Sequence, residues 1–296
     1  MLDAADLDRV REVRLREPEA LRRRLRERPR RSLLGGDGRL LILAADHPAR
    51  GSLGAGQDPM AMASREELLR RLTEALARPG VDGVLGTPDI LEDLAILGAL
   101  DGKLAIGSMN RGGLRGSVFE LDDRYTAYDV TALRDAGLDA GKLLVRIGLD
   151  DHATARTLEA TARAVSDAAQ ARIPVLLEPF MCHRNGGQIG NDLSPQAVIG
   201  AIAIASGLGT SSAYSWLKLP VVAQMERVMR STTLPTLLLG GDDDAGPEAR
   251  FESWQAALAL PGVRGLVVGR TLLYPRDGDV SGAVDAAVRL VHGGMP

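Results

Sequence analysis

Residues 142–178, KLLVRIGLDDHATARTLEATARAVSDAAQARIPVLLE, decide the fold. A short apolar run over 142–147 is followed by an amphipathic stretch over 152–171. Pro174 then opens a second apolar run, which ends at Glu178. A strand, a helix and another strand in this order are typical of a parallel sheet covered by helices. We therefore predict one strand–helix–strand unit here.

The same alternation continues on both sides of this unit. We predict strands over residues 40–45, 83–86, 104–107, 142–147, 174–178, 213–218, 236–239 and 265–269. We predict helices over residues 64–78, 89–99, 122–136, 152–171, 195–206, 220–230, 247–259 and 281–292. Eight such units in one series predict an α/β fold, the closed (β/α)8 TIM barrel of about 250 residues. An open doubly wound sheet is the alternative, but no predicted strand is followed by a G-x-G-x-x-G turn.

The composition favours an ordinary globular protein. Of its 296 residues, 45% are hydrophobic and 25% are charged, which excludes global disorder. No apolar run approaches the roughly 18 residues that span a bilayer, and the first residues lack the apolar core of a signal peptide. A net charge of −3 gives no general attraction to nucleic acid. We expect a cytoplasmic protein with no membrane or nucleic-acid partner.

The N-terminal segment differs from the remainder in its charge pattern. Residues 1–35 are predicted as an arginine-rich helical extension and residues 36–296 as the catalytic barrel. Eleven arginines fall between Arg9 and Arg31, interleaved with glutamates. This pattern favours a solvated helix with ion pairs one turn apart, with a nucleic-acid-binding arm as the alternative. We expect a homo-oligomer, and four apolar side chains could pack the helix against the barrel or a second subunit: Leu7, Val10, Leu21 and Leu25.

Lysine is rare in this chain, which directs attention to Lys218. The other lysines are Lys103 and Lys142. Lys218 ends the sixth predicted strand, and Pro220 is predicted to open the next helix. Active sites of (β/α)8 barrels lie at the carboxyl ends of the strands. A buried lysine can lose its proton, and a neutral amine beside a carbonyl can form a Schiff base. The alternative is a lysine that reaches water or pairs with Glu178.

Two carboxylates and a second lysine end or line neighbouring strands. Glu178 closes the fifth strand and Asp46 follows the first. A buried carboxylate needs a partner, so Glu178 is either a general acid/base or the counter-ion of a lysine. Lys142 shares one face of its strand with Arg146, and that face is either interior or exposed to solvent. Two lysines and two carboxylates together would suit carbon–carbon bond cleavage through an imine.

Five segments resemble class I aldolases of the tagatose-1,6-bisphosphate and archaeal-type fructose-bisphosphate groups. They are AADH at 44–47 with Arg50-Gly51, AGLDAGKLL at 136–144, LLE at 176–178, WLKLP at 216–220 and VVGR at 267–270. They occur in the family's order across residues 40–290. The chain is similar in particular to aldolase-like barrels associated with bacterial inositol breakdown.

The resemblance implies a role for each matching residue. Lys218 matches the Schiff-base lysine, Glu178 the catalytic glutamate and Lys142 the lysine beside the nucleophile, with Asp46 shaping the charge around the imine. The implied activity is that of a metal-independent class I aldolase without a cofactor, acting on a phosphorylated keto sugar or keto acid. We expect 2-deoxy-5-keto-gluconate 6-phosphate as substrate. Tagatose or fructose bisphosphate, deoxyribose 5-phosphate, or a catalytically silent regulatory barrel are the alternatives.

Substrate-binding residues are predicted on the loops that follow the strands. Glycines after strands seven and eight permit close approach of backbone N–H groups to a phosphate, although tight turns also need glycine. The phosphate candidates are Gly240, Gly241, Gly269 and Arg270, and the candidates for a second anionic end are Arg146, Arg111 and Arg184. His47 stands where the tagatose group has glutamine, and it is a further candidate contact. With four histidines in all, a three-histidine zinc site is not expected.

Overall fold

The computed structural model describes residues 2–110, 113–185, 188–241 and 246–293. Its strands are β1 Leu40–Ala44, β2 Gly83–Gly86, β3 Leu104–Ser108, β4 Ala140–Ile147, β5 Val175–Asn185, β6 Gln188–Asn191, β7 Ser215–Leu219, β8 Thr236–Leu239 and β9 Val263–Val268. The sheet order is β4-β3-β2-β1-β9-β8-β7-β5-β6, and β4 also pairs with β5. Without β6, these strands are the eight of a (β/α)8 TIM barrel, which confirms the predicted fold class.

Helices separate the strands along the chain. They are α1 Ala4–Arg16, α2 Pro18–Glu27, α3 Arg65–Leu76, α4 Pro88–Ile96, α5 Val130–Asp135, α6 Ala153–Ala171, α7 Pro195–Ser206, α8 Met225–Met229, α9 Pro247–Leu258, α10 Arg270–Leu273 and α11 Val280–His292, with a 3₁₀ turn at Pro48–Arg50. Of the helices in the described residues, none combines the length and apolarity that crossing a bilayer requires.

Three predicted elements differ from the structure. The fifth strand continues to Asn185 and folds back on β6 as an antiparallel hairpin, in which Cys182 pairs with Asn191. The helix predicted over 122–136 is only the short α5, because the residues before it form a loop. Pro220 does not open a helix. The helix α8 begins at Met225, directly after Gln224, whose φ of 57° lies in the left-handed region.

The chain forms two compact units. The first contains Met1–Gly107, Thr131–Asp139 and Val267–Pro296, and the second contains Ser108–Val130 and Ala140–Leu266. Within the first unit, β1 and β2 pair in parallel, as do β2 and β3. Within the second unit, β4, β5, β7 and β8 pair in parallel in that order. Most of the predicted catalytic residues belong to the second unit.

The N-terminal segment is packed inside the first unit. The helix α2 contacts α4, and Leu25 is buried together with Leu7 and Val10 of α1. Arg28, itself buried, donates to the Gly137 carbonyl at 2.8 Å. The arginine-rich extension is therefore held by apolar packing and by arginine contacts to the protein's own backbone and carboxylates. The proposed domain boundary at residue 35 stays a prediction.

His292, at the end of α11, supports a pH-dependent prediction. Its Nε2 lies 3.2 Å from Asp82 Oδ2 and its Nδ1 2.5 Å from Asp37 Oδ2. The contact with Asp82 is the largest cause that raises the pKa of His292, burial lowers it, and the contact with Asp37 raises it further. The net result is a pKa raised from 6.5 to about 9. Because the pKa of His292 is higher in the folded than in the unfolded protein, its ion pairs stabilise the fold fully below pH 6.5. This contribution disappears as the pH rises through 9. We expect His292→Gln to lower the free energy of unfolding much more at pH 6 than at pH 9.5.

The difference between the two pH values is expected to reach about 3 kcal/mol at most, since each pKa unit corresponds to about 1.4 kcal/mol. Urea unfolding of the wild type and of His292→Gln at both pH values measures it. His152→Gln, which replaces an exposed histidine, is the matched control. A destabilisation by His292→Gln that is the same at pH 6 and at pH 9.5 would contradict the assignment of the ion pairs.

Candidate active site

Glu178 bridges two lysines in the second unit. Its Oε1 lies 2.7 Å from Lys218 Nζ, and its Oε2 pairs with Lys142 Nζ. The exposed fractions of the three residues are 1% for Lys142, 7% for Glu178 and 4% for Lys218. All three charged side chains are thus buried, and each lysine pairs with Glu178. Of the two alternatives for Lys142, the structure shows the buried one.

The strand register explains why these side chains meet. Leu144 of β4 pairs with Glu178 of β5, so Lys142 lies one step earlier on the same face of the sheet. Leu177 of β5 pairs with Leu217 of β7, which places the following residues, Glu178 and Lys218, side by side. Each of the three strands therefore contributes one charged side chain to this cluster.

Glu178 is a counter-ion of both lysines, and this geometry is also the one that proton transfer requires. A carboxylate oxygen at 2.7 Å from an amine is within the hydrogen-bonding reach of a general acid/base. Because these groups are buried, each lysine and Glu178 depend on one another. Removing one partner of a buried ion pair typically costs about 3–5 kcal/mol of folding free energy. The site combines a candidate nucleophile with a candidate base in hydrogen-bond contact.

Arg146 lies four residues beyond Lys142 on β4 and is held by the loop before α5. Its Nε and Nη2 donate to the two carboxylate oxygens of Asp123 at 2.8 and 2.6 Å. Its Nη1 lies 3.3 Å from Glu120 Oε1. Burial opposes the charge, but the hydrogen bond and charge of Asp123 outweigh it and raise the pKa of Arg146. Its predicted contact with a substrate anion stays a prediction and would require exchange of these partners.

Sequence reasoning assigned no role to the residues that fix this loop. Asn110 donates to the Leu144 carbonyl at 2.6 Å and accepts from the Leu144 N–H at 2.7 Å, so its side chain acts as a short strand neighbour for β4. Gly113 approaches so closely that an added Cβ would collide with the Glu120 carbonyl and Arg146. An asparagine three residues beyond a predicted strand and an acid-rich segment were the available signals.

The other predicted binding residues of the second unit lie on loops and on the hairpin. Arg184, near the end of β5, has its Nη2 3.3 Å from Asp151 Oδ2. Gly240 and Gly241 follow β8, and Gly241 has a φ of 69°, a left-handed conformation that favours glycine. Arg111 lies outside the described residues, as do the acids at 242–244.

The remaining predicted residues belong to the first unit. Asp46 is 1% exposed, directly beyond β1. A Cβ on Gly269 would collide with the Ala44 carbonyl and lie 3.0 Å from His47 Cε1, so only glycine fits there. Arg270 begins α10, and its Nη1 lies 3.5 Å from the Gly54 carbonyl. The structure thus brings Gly269 to the end of β1, while the roles of Asp46, His47, Gly269 and Arg270 stay predictions.

Among the described residues, no group of three or more histidine, cysteine, aspartate or glutamate side chains is placed to hold a metal ion. Cys182 is buried on β5 and its Sγ lies 3.2 Å from Asn191 Oδ1. This contact joins the two strands of the hairpin.

Comparison with known proteins identifies close and distant relatives. A family model described as Cgl0159-like matches residues 38–288. The crystal structure of Cgl0159 from Corynebacterium glutamicum is 59% identical with a TM-score of 0.97, covering 100% of this chain and 99% of that chain. No curated protein matches.

Two aldolase structures share the fold at low identity. An archaeal fructose 1,6-bisphosphate aldolase is 21% identical with a TM-score of 0.66, covering 93% of this chain and all of that chain. A Schiff-base-forming fructose-1,6-bisphosphate aldolase is 22% identical with a TM-score of 0.65, covering 92% and 99%. At these identities the likeness concerns the fold.

Proposed function

The chain belongs to the Cgl0159-like family, and from its lysine–glutamate cluster we propose that it is a class I aldolase. The observation that carries the proposal is the buried Lys218 amine, 2.7 Å from the Glu178 carboxylate at the end of a barrel strand. The fold that it shares with Schiff-base aldolases supports the same reaction class. A carboxylate beside a buried amine provides both the nucleophile and the proton carrier that imine chemistry needs.

The proposed reaction begins when Lys218, as the neutral amine, attacks the substrate ketone. The resulting carbinolamine loses water and leaves a positively charged iminium. A base then removes the proton of the aldol hydroxyl, and the adjoining carbon–carbon bond breaks. Its electron pair moves to the iminium and forms an enamine, while the aldehyde fragment departs. Protonation and hydrolysis of the enamine release the ketone fragment and restore the lysine.

We assign the base to Glu178 and a supporting role to Lys142. Glu178 can accept the hydroxyl proton and return one to the enamine carbon. Lys142, paired with the other carboxylate oxygen, fixes the orientation of Glu178. Asp46 is proposed to shape the charge around the imine, on the strength of the family resemblance.

The proposed substrate is 2-deoxy-5-keto-gluconate 6-phosphate, cleaved to dihydroxyacetone phosphate and malonate semialdehyde. The resemblance to aldolase-like barrels of inositol breakdown supports this choice. Phosphate binding is proposed for Gly240, Gly241, Gly269 and Arg270. Arg146, Arg184 and Arg111 are the candidates for the carboxylate end. Arg146 would have to exchange its bonds to Asp123, and Arg184 its longer contact with Asp151.

Steady-state kinetics with four substrates test this choice. We expect kcat/KM for the keto acid phosphate to exceed the values for tagatose 1,6-bisphosphate, fructose 1,6-bisphosphate and deoxyribose 5-phosphate. A tenfold preference corresponds to about 1.4 kcal/mol of transition-state binding. A tenfold preference for any of the three sugar phosphates would exclude the inositol-derived substrate and leave the aldolase proposal intact. EDTA is expected to leave all four rates unchanged.

A further inference from the structure

The sheet face directly beyond Glu178 is apolar. Leu144 is the register partner of Glu178 on β4, and Phe180 is the next residue of β5 on the same face. Both are buried, and they pack with two more buried residues, Leu121 and Cys182. Ile189 and Leu239 are partly buried against this cluster. A ligand that extends from Glu178 along β4 and β5 therefore meets carbon atoms first.

The polar groups of β4 that flank this apolar cluster already have partners within the protein. Both backbone groups of Leu144 bind the Asn110 side chain. Arg146, the next residue of β4 on this face, is held in two hydrogen bonds by Asp123. A ligand hydroxyl placed against Leu144 and Phe180 would thus lose its hydrogen bonds to water, and of these described groups it could gain a partner only by displacing a bond that is already made. Burying a hydroxyl without a partner is unfavourable.

The proposed reaction, on which this inference rests, indicates which substrate atoms lie at the Glu178 carboxylate. Glu178 takes the proton of the aldol hydroxyl, so the carbon that bears this hydroxyl lies at its carboxylate. That carbon becomes the carbonyl carbon of the aldehyde fragment. The following carbon of the same fragment is one bond further, and Leu144, the register partner of Glu178 on β4, is the adjacent side chain on that side.

We infer that the apolar wall formed by Leu144 and Phe180 selects aldehyde fragments with hydrogen, and no hydroxyl, on the carbon next to the carbonyl. Leu144 and Phe180 are thereby specificity-determining residues. An apolar site discriminates against a single added hydroxyl by up to about 100-fold, so selection of about 10- to 100-fold is expected. The inference concerns the substrate class, and it applies equally to cleavage and to the reverse aldol addition.

Aldol addition of dihydroxyacetone phosphate to two matched aldehydes tests the inference. The aldehydes are propanal and 2-hydroxypropanal, which differ by one hydroxyl on the relevant carbon. We expect the wild type to use propanal with a kcat/KM about 10- to 100-fold above that for either enantiomer of 2-hydroxypropanal. The full-length protein is used throughout.

Two variants introduce a polar group into the apolar wall formed by Leu144 and Phe180. Phe180→Tyr keeps the ring and adds a hydroxyl, and Leu144→Asn keeps the approximate shape and adds an amide. Each is expected to lower the preference for propanal at least fivefold. Leu149→Asn makes the same substitution at a residue that is 83% exposed, and it should leave the ratio unchanged. If Leu144→Asn does not fold, as thermal unfolding will reveal, Phe180→Tyr alone decides.

The possible failures are distinguishable. A wild-type ratio near one, a preference for 2-hydroxypropanal, or an unchanged ratio in folded variants would overturn the inference while leaving the aldolase proposal standing. Absence of addition with both aldehydes, together with no borohydride-trapped adduct of dihydroxyacetone phosphate on Lys218, would overturn both.

Discussion

Replacing Lys218 by alanine is expected to reduce turnover to the uncatalysed background while the protein stays folded. The reaction loses its nucleophile, because no other amine occupies the position at which the imine forms. The fold should survive, since Glu178 keeps Lys142 as a buried partner. Cleavage assays on the proposed keto acid phosphate measure the loss, and circular dichroism with thermal unfolding checks the fold.

Lys103→Ala is the matched control for this variant. Lys103 is half-buried near the start of β3, and its Nζ donates to the Val81 carbonyl at 2.6 Å. This variant should retain wild-type kcat. Substantial cleavage by folded Lys218→Ala would show that another group forms the imine or that cleavage proceeds without one.

Glu178→Gln is expected to slow cleavage by about 10²- to 10⁴-fold, the usual contribution of a positioned general acid/base. Glutamine preserves the shape of the side chain but cannot accept the hydroxyl proton. Borohydride trapping of the imine should continue, because Lys218 remains. The variant should also be less stable, since two buried lysines lose their carboxylate.

Single-turnover cleavage and trapping yield are measured on the same preparation. Glu226→Gln, which removes an exposed carboxylate paired with Arg230, is the control and should match the wild type. Unchanged cleavage by Glu178→Gln would rule out Glu178 as the base. Trapping lost in proportion to cleavage would restrict Glu178 to positioning the amine.

The fold was predictable because parallel strands in a barrel are short, apolar and separated by amphipathic helices. The run over 142–147 and the run ending at Glu178 carry this pattern in the sequence itself. The hairpin of β5 and β6 was not predicted, because Pro179 and the polar residues at 183–185 conceal the continuing strand. The prediction of a long helix over 122–136 was wrong for a related reason. The loop before α5 is held by hydrogen bonds from Arg146, and such bonds leave no periodic pattern in the sequence.

The lysine–glutamate cluster was partly predictable on similar grounds. A charged residue that ends an apolar strand needs a partner, which directed attention to Glu178 and Lys218. Strand periodicity put Lys142 and Arg146 on one face but left open whether that face is interior. The register that joins them is a property of strand pairing and had to come from the structure. The binding of Arg146 by Asp123 joins distant parts of the chain through an irregular loop, so sequence reasoning left Arg146 available for substrate.

Borohydride trapping of the wild type with dihydroxyacetone phosphate tests the central proposal most directly. The chain has three lysines, so peptide mass spectrometry can assign the reduced adduct without ambiguity. We predict one adduct, on the peptide that contains Lys218, and none with Lys218→Ala. An adduct on Lys142 or Lys103, or no adduct on an active protein, would contradict the account.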